Sequence, residues 1–429
     1  MAKEASTPAD LTAYEARAAI EAGTLTAETL VRACLQRIEE REDLVGAWAH
    51  LNPDLILKQA WQADAVPKRG LLHGVPVGIK DVIDTADMPT RYGSPIYEQH
   101  HPAWDAACVS MCRTAGGIIF GKTVTTEFAL STPGKTRNPH NPEHTPGGSS
   151  SGSAAAVADR MVPLAVGTQT GGSTIRPASF CGIVGYKPTF GLISRSGLKA
   201  VAESLDTMGI FARNVRDAAL LAAVMTGRHT LAEVTPSAPP RIAIWRTFEW
   251  KEASPETVHA VEDSATRLSR AGAKLTEARM VQCCAELADC QHEIEYFELG
   301  RAFSYEYNNH REQLSSKLRN RIEAGLQVPG ALYDSKLEIA AECRRNIDII
   351  FDDTDALLAP SAVGVAPAGL ESTGSSVFNR TWTLLGLPCL TIPSHVGPKG
   401  LPVGIQLIGR AHHDSDLLAH AAWVEKVLR

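Results

Sequence analysis

The chain has 429 residues, 44% hydrophobic and 21% charged, and its 42 basic and 48 acidic residues give a net charge of −6. This length and composition exclude a mini-protein, a disulfide-stapled scaffold and a disordered chain. The negative charge argues against a basic surface for nucleic acid or anionic lipid, so a small molecule is the predicted partner. Nine cysteines without a CxxC pair, no leader-like N-terminus and no long apolar run predict free thiols in a cytoplasmic protein.

In chain order, residues 10–40 predict helix, because Thr12 and Glu15 fit a capping box and apolar residues recur at helical spacing. Between residues 70 and 220 glycine, serine and proline crowd together, and this indicates short strands joined by tight turns. Apolar runs at 75–79 and 162–166 predict two buried strands. Beyond residue 215 the predicted elements alternate, with strands at 241–245, 356–358 and 403–407 and helices at 256–271, 286–305, 336–350 and 414–428.

Residues 147–156 (GGSSSGSAAA) place four serines among three glycines directly before a small-residue helix. The G-x-S-x-G pattern at Gly148, Ser150 and Gly152 matches a nucleophile elbow, but three prolines in 138–146 exclude the strand that an elbow requires. The SxxK pattern at 196–199 has no SDN or KTG companion. Residues 167–173 (GTQTGGS) match neither phosphate-binding glycine motif. The glycines and serines are therefore better explained by another hydrolytic chemistry.

Four stretches together resemble the amidase signature family of serine hydrolases. They are residues 74–81 (GVPVGIKD), 147–150 (GGSS), 167–173 (GTQTGGS) and 181–189 (CGIVGYKPT). Residues 378–383 (FNRTWT) and 400–406 (GLPVGIQ) are similar to the family's C-terminal pattern. Within the family, the malonamidase-like bacterial amidases look most similar. Gln169 departs from the Asp that many members carry, and Arg176 stands three rather than two places after the serine of GTQTGGS.

The resemblance implies a catalytic triad of Lys80, Ser149 and Ser173, with Ser149 following a cis peptide bond and relaying a proton from Ser173 to Lys80. A serine hydroxyl needs a base within hydrogen-bond reach, and lysine can be that base only when it is uncharged. The valines and isoleucines around Lys80 would lower its pKa by burial. The backbone N–H groups of Thr170, Gly171, Gly172 and Ser173 would form the oxyanion hole.

The resemblance also implies an acyl-enzyme cycle that releases ammonia and needs no metal or cofactor. Two residues are candidate substrate contacts. Ser131 follows the loop beside the substrate nitrogen, and Arg176 would bind a substrate carboxylate, as in a monoamide such as malonamate. The alternative for Arg176 is an internal ion pair with an Asp or Glu. The histidine pair at 412–413 has no acidic or thiol companion at ligand spacing, so it predicts a helix start rather than a metal site.

The predicted fold is α/β, a mixed central β-sheet covered by helices on both sides, in a single amidase domain over residues 1–429. Within it, 1–69 would form N-terminal helices, 70–220 the catalytic core and 221–429 the pocket and C-terminal part. The predicted function is hydrolysis of a small carboxylic amide, without nucleic acid or membrane, by a protein that could form a homodimer. The alternative is the A subunit of a tRNA-dependent amidotransferase, and co-purification with two other subunits would favour it.

Overall fold

The computed structural model describes residues 7–68, 70–130, 132–279 and 281–429. Its strands are β1 (Trp48–Leu51), β2 (Pro76–Lys80), β3 (Ile118–Thr123), β4 (Leu164–Gln169), β5 (Val184–Lys187), β6 (Thr207–Ala212), β7 (Arg241–Ile244), β8 (Lys274–Glu277), β9 (Ala356–Pro360), β10 (Cys389–Val396) and β11 (Pro402–Ile408). They form one sheet in the order β1-β3-β2-β4-β6-β5-β10-β11-β9-β7-β8.

Helices lie around this sheet, and short 3₁₀ turns connect several of them. The α-helices are α1 (Ala13–Glu21), α2 (Ala27–Val45), α3 (Pro53–Asp64), α4 (Ala107–Thr114), α5 (Ser151–Ala158), α6 (Ile175–Cys181), α7 (Val215–Thr226), α8 (Pro255–Arg270), α9 (Leu287–Ala302), α10 (Ser304–His310), α11 (Ser316–Gln327), α12 (Gly330–Asn346), α13 (Val377–Leu384) and α14 (Asp414–Leu428). Among the described residues, none of these helices is long and apolar enough to cross a membrane.

The sheet is mixed, as predicted. β2 pairs in parallel with both β3 and β4, and β7 pairs in parallel with β8 and β9. The strands between these two groups are antiparallel, from β4·β6 to β11·β9. The short strands at both positions of parallel pairing are rich in valine, isoleucine and alanine, which is typical of strands covered on both faces. The predicted α/β class with a mixed central sheet is confirmed.

The parallel pairing of β2 and β4 decides where the site forms. Ile79 is in register with Val166, so the carboxyl ends of the two strands lie side by side. Lys80 is the last residue of β2, and Gln169 is the last residue of β4. In parallel sheets, residues that follow neighbouring strand ends meet at one edge. The serine-rich stretch before α5 and the glycine-rich stretch before α6 therefore converge on the end of β2.

Small residues let α5 pack tightly at this edge. The helix has the sequence SGSAAAVA and is buried on every face except at its last residue. A Cβ added at Gly152 would lie 2.2 Å from the Ala47 carbonyl oxygen and 2.3 Å from the Val124 amide nitrogen. Such distances are sterically forbidden, so only glycine allows this approach. The composition that distinguishes residues 147–156 in the sequence is thus a packing requirement as well as a chemical signal.

Candidate active site

The Lys80 side chain lies completely buried at the end of β2, between two hydroxyl groups. Its Nζ is 2.7 Å from Ser149 Oγ and 2.7 Å from Thr168 Oγ1. Ser149 follows a cis peptide bond from Gly148, as the resemblance implies. The structure therefore brings Lys80 and Ser149 into direct contact, across 69 residues of sequence. Thr168 is a third member of this contact that sequence reasoning missed, although it stands inside the GTQTGGS motif.

Electrostatics keep the Lys80 amine uncharged near neutral pH. Burial lowers the pKa of Lys80 well below its ordinary value, and the negative charge of Asp206 raises it by a smaller amount. Asp206 is itself buried, and burial raises its pKa to about 6 although it accepts hydrogen bonds from Thr170 Oγ1, Val201 N and Ala202 N. An uncharged amine has a lone pair that can accept the Ser149 proton. This environment meets the requirement for a lysine base.

Ser173 lies at the wall of a cavity of about 470 Å³ and is 8% exposed. It precedes α6 by two residues. Among the described residues, its hydroxyl makes no side-chain hydrogen bond, so the link to Ser149 is not closed. Catalytic hydrogen bonds in ligand-free enzymes are often long and shorten only when substrate binds. The position at the cavity wall, in contact with the loop described next, fits the predicted nucleophile.

The loop before Ser173 has its carbonyl groups tied down by three different helices. Gln291 Nε2 of α9 donates to the Thr170 carbonyl at 3.1 Å, and Thr383 Oγ1 of α13 donates to the Gly171 carbonyl at 2.8 Å. The Gly172 carbonyl accepts from the first turn of α6 at 3.0 Å. In the described part of the chain, the N–H groups of Gly171, Gly172 and Ser173 donate to no other group. Fixed carbonyls and available N–H groups are what an oxyanion hole needs.

Gln169, which departs from the family pattern, has a structural role beneath this loop. Its Oε1 accepts from the backbone nitrogens of Thr174 at 2.9 Å and Ile175 at 3.1 Å, and its Nε2 donates to Thr383 Oγ1 at 3.0 Å. The amide thus satisfies N–H groups at the start of α6 that have no partner within the helix. An amide can donate and accept at once, whereas a carboxylate can only accept. Gln169 therefore couples α6 to α13 directly.

Arg176 is buried but forms no ion pair within the described residues. Its guanidinium donates to the Gly148 carbonyl at 2.6 Å, to the Gly374 carbonyl at 2.8 Å and to Thr373 Oγ1 at 3.1 Å. Burial, together with the nearby charge of Arg380, lowers its pKa to about 10. The internal carboxylate partner considered from sequence is absent at this position. In the structure Arg176 holds the carbonyl of the peptide that presents Ser149, and its role toward substrate stays a prediction.

The cavity in front of Ser173 is strongly polar. Basic residues outnumber acidic ones among the side chains that line it, which include Arg176, His292, Glu295, Lys317, Arg321, Glu371 and Arg380. Ala129 and Leu130 line its opposite side, at the end of the loop that the sequence placed beside the substrate nitrogen. The candidate contact Ser131 lies outside the described residues. A cavity of this size suits a ligand of a few to a few tens of heavy atoms.

A second group of reactive side chains lies away from this cavity. Cys283 and Cys343 form a disulfide with their Cα atoms 5.7 Å apart, and Cys284 Sγ lies 3.4 Å from Cys343 Sγ. The expectation of free thiols is therefore wrong at these two positions. Long-range folding, which spacing in sequence does not reveal, brings together cysteines 60 residues apart. Within the described residues, these three sulfurs form the one cluster whose geometry could hold a metal ion.

Comparison with known proteins matches this geometry to a family. A family model described as Amidase matches residues 29–418. The chain is similar to the A subunit of glutamyl-tRNA(Gln) amidotransferase from Natranaerobius thermophilus, at 31% identity over 98% of this chain and 96% of the relative. A crystal structure described as amidase has a TM-score of 0.91 at 28% identity, with 98% and 100% of the two chains covered. The peptide amidase of Stenotrophomonas maltophilia has a TM-score of 0.81 at 29% identity, with 98% and 97% covered.

These relatives correct one prediction and leave another without support. The predicted partner set, a small-molecule amide without nucleic acid and with a homodimer at most, is wrong, because relatives across the full length of the chain are named as subunits of a tRNA-dependent enzyme. The net charge of one chain does not report on partners that another subunit binds. A malonamidase-like subtype is not supported by the relatives. The chain nevertheless belongs to the amidase signature family, and it is an amidase, a hydrolase of amide C–N bonds.

Proposed function

We propose that the chain cleaves a carboxamide through an acyl-enzyme on Ser173 and works as the ammonia-releasing subunit of a larger assembly. The observation that carries the chemistry is the 2.7 Å contact between Lys80 Nζ and Ser149 Oγ in a completely buried setting. A buried lysine with a depressed pKa and a serine as its nearest partner is suited to proton transfer rather than to ion pairing.

In the proposed cycle, Ser173 Oγ attacks the amide carbonyl carbon as its proton passes to Ser149 and the Ser149 proton passes to Lys80. The tetrahedral intermediate places its negative oxygen at the N–H groups of Gly171, Gly172 and Ser173. Lys80 then returns a proton through Ser149 to the leaving nitrogen, the C–N bond breaks, and ammonia departs. Water attacks the resulting ester, gives its proton to the same relay, and releases the carboxylic acid and free Ser173.

The assembly is supported by the names of the relatives rather than by geometry. The A subunit of glutamyl-tRNA(Gln) amidotransferase is the name that recurs among relatives sharing 31–34% identity with this chain. By analogy, we propose that a second subunit consumes the ammonia to amidate a tRNA-bound glutamyl group. Glutamine is then the proposed amide, in place of malonamate, and a cytoplasmic location follows from the proposed tRNA substrate.

The test is to isolate the tagged chain from its native cells under gentle conditions, beside a Ser173→Ala variant. We expect partner subunits to co-purify, ammonia to be released from glutamine, and glutamyl-tRNA to be converted to glutaminyl-tRNA, with all turnover lost in the variant. Amide hydrolysis by a chain that carries no other subunit would overturn the assembly. Absence of amide hydrolysis, together with no labelling of Ser173 by a fluorophosphonate, would overturn the acyl-enzyme chemistry.

A further inference from the structure

Four lysine and arginine side chains line the cavity, and three of them have partners within the protein. Arg176 donates to two carbonyl groups and a hydroxyl. Arg321 pairs with Glu295, and the Lys317 amine donates to the Glu371 carbonyl at 3.0 Å. These contacts leave each of the three groups with its charge or its donors engaged. Arg380 is the fourth cation.

Arg380 is half-buried on the first turn of α13, and its polar contact with the rest of the described chain is long. Its Nε donates to Ser376 Oγ at 3.3 Å, one turn earlier on the same helix. In the part of the chain that the structure describes, no carboxylate lies within ion-pair distance of its guanidinium. The nearest acidic groups to feel its charge are Glu295 and Glu249. Glu295 is already engaged by Arg321 and by Gln291 Nε2 at 2.7 Å.

The position of Arg380 relative to the nucleophile follows from its neighbours on α13. A Cβ added at Gly172 would lie 2.4 Å from Asn379 Oδ1 and 2.8 Å from the Ser376 Cβ. A Cβ added at Gly171 would lie 3.5 Å from Ser376 Oγ. The first turn of α13 is thus packed directly against the oxyanion loop. Arg380 lies on that same turn and borders the cavity.

We infer that Arg380 binds a free carboxylate on the acyl side of the amide substrate, and that it does so in place of Arg176. This inference rests on the proposed amide-cleaving function and deepens it by naming a substrate class. A partly buried guanidinium with unused N–H donors is a strong site for a carboxylate, because its planar fork can donate two parallel hydrogen bonds. Any amide with a free carboxylate a few bonds from the carbonyl belongs to the class, glutamine and short dicarboxylic monoamides alike.

The test compares matched amides on the chain isolated with any subunits that co-purify. Glutamine, succinamate and malonamate are assayed against uncharged amides of the same length, for wild type, Arg380→Met and Arg380→Lys. We expect Arg380→Met to lower kcat/KM for the carboxylated amides by roughly 10–100-fold more than for the uncharged ones, as for a lost charged hydrogen bond. Arg380→Lys should recover part of the difference. Equal losses on both groups of amides would overturn the inference.

Binding to an inactive protein separates this inference from the proposed function. Calorimetry with Ser173→Ala should show succinamate binding that weakens at least tenfold when Arg380→Met is added and stays within about threefold with Arg319→Met. Arg319 lies on α11 outside the cavity and pairs with Glu312, so it controls for loss of one positive charge. Unchanged binding in the Arg380→Met background would overturn carboxylate recognition by Arg380, even if Ser173 proves to be the nucleophile.

Discussion

Two buried lysines on adjacent parallel strands differ in what surrounds them. Lys80 ends β2 and Lys122 lies in β3, one register position away, and both are completely buried. Lys122 contacts Thr90 Oγ1 at 2.6 Å and the Ile83 carbonyl, and it pairs with Asp81 at 3.6 Å. Lys80 contacts two hydroxyl groups and, among the described residues, no carboxylate within ion-pair distance.

This difference separates a structural lysine from a chemical one. Burial lowers the pKa of both lysines, but the Asp81 carboxylate limits the fall for Lys122, whose pKa stays at about 8. Lys122 is therefore mostly charged at neutral pH and stabilises the fold as half of an ion pair. Lys80 lacks a carboxylate in contact, so its pKa falls much further. Burial supplies the depressed pKa, and the choice of partner decides whether the amine serves folding or proton transfer.

Replacing each lysine by methionine should produce opposite defects. Lys80→Met should lower kcat by about 10³–10⁴-fold, because the relay loses its base, while the melting temperature changes little. Lys122→Met should leave Asp81 buried and unpaired, at a cost of about 3–5 kcal/mol in unfolding free energy. Turnover per fluorophosphonate-labelled site and thermal melting are the measurements. Full turnover in Lys80→Met would end the distinction between the two lysines.

Adding one methyl group to the oxyanion loop should test how tightly α13 holds it. Gly172→Ala should lower kcat by about 10²–10³-fold, because the new Cβ would lie 2.4 Å from Asn379 Oδ1 and would displace the loop. Gly171→Ala is the matched control. Its Cβ would meet nothing closer than 3.5 Å, so its loss should be far smaller. Equal losses in the two variants would show that α13 does not position the oxyanion N–H groups.

Removing the second hydroxyl beside Lys80 should have a smaller effect. Thr168→Val keeps the shape of the side chain but removes the oxygen that lies 2.7 Å from Lys80 Nζ. We expect kcat to fall by about tenfold, as for one buried hydrogen bond that orients the amine. Thr168→Ser retains the hydroxyl and should recover most of the activity. Similar losses in both variants would point to packing rather than to orientation of Lys80.

The pH profile should move when the charge near Lys80 is removed. Asp206 raises the pKa of Lys80, so Asp206→Asn should lower that pKa further. Because the base works only when uncharged, the acid limb of the kcat/KM profile should shift to lower pH. Asp414→Asn removes another buried carboxylate, which contacts Tyr186 and Thr189 away from the cavity, and should leave the limb in place. A shift to higher pH in Asp206→Asn would contradict this electrostatic coupling.

The smallest predicted effect lies far from the site, at the start of α1. The Thr12 side chain accepts from the Glu15 backbone nitrogen at 3.2 Å, and a Glu15 carboxylate oxygen accepts from the Thr12 nitrogen at 2.9 Å. Thr12→Ala should lower the unfolding free energy by about 1 kcal/mol, measured by urea denaturation. A change in kcat larger than twofold would indicate that α1 affects the site, which its position does not suggest.

Features set by neighbouring residues were predictable from the sequence. The Thr12 capping box forms, and the strand expected at 75–79 is β2 with a shift of one residue. Residues 10–40 form two helices rather than one, because the chain turns between α1 and α2. The helix expected at 336–350 begins earlier, at Gly330 directly after Pro329, and ends at Asn346. Proline favours a helix start at that point, a signal that hydrophobic spacing alone did not use.

The site was only half predictable, for a topological reason. Lys80, Ser149 and Ser173 stand in recognisable motifs, and the first two of them meet as expected. The supports of the oxyanion loop come from distant segments, since Gln291 lies 121 residues from Thr170, and Thr383 lies 212 residues from Gly171. Arg380 stands in the FNRTWT motif, but its unpaired charge becomes visible only when α9, α11 and α13 surround one cavity. No local pattern reports such convergence.

The most direct test is the pH dependence of Ser173 acylation by a fluorophosphonate, measured in wild type and in Lys80→Met. An uncharged Lys80 base predicts that the labelling rate of the wild type rises through one ionisation, with a midpoint well below the ordinary lysine pKa of about 10.4. It predicts that this ionisation and nearly all labelling disappear in Lys80→Met. Equal labelling of both proteins, or a midpoint at the ordinary lysine value, would contradict it.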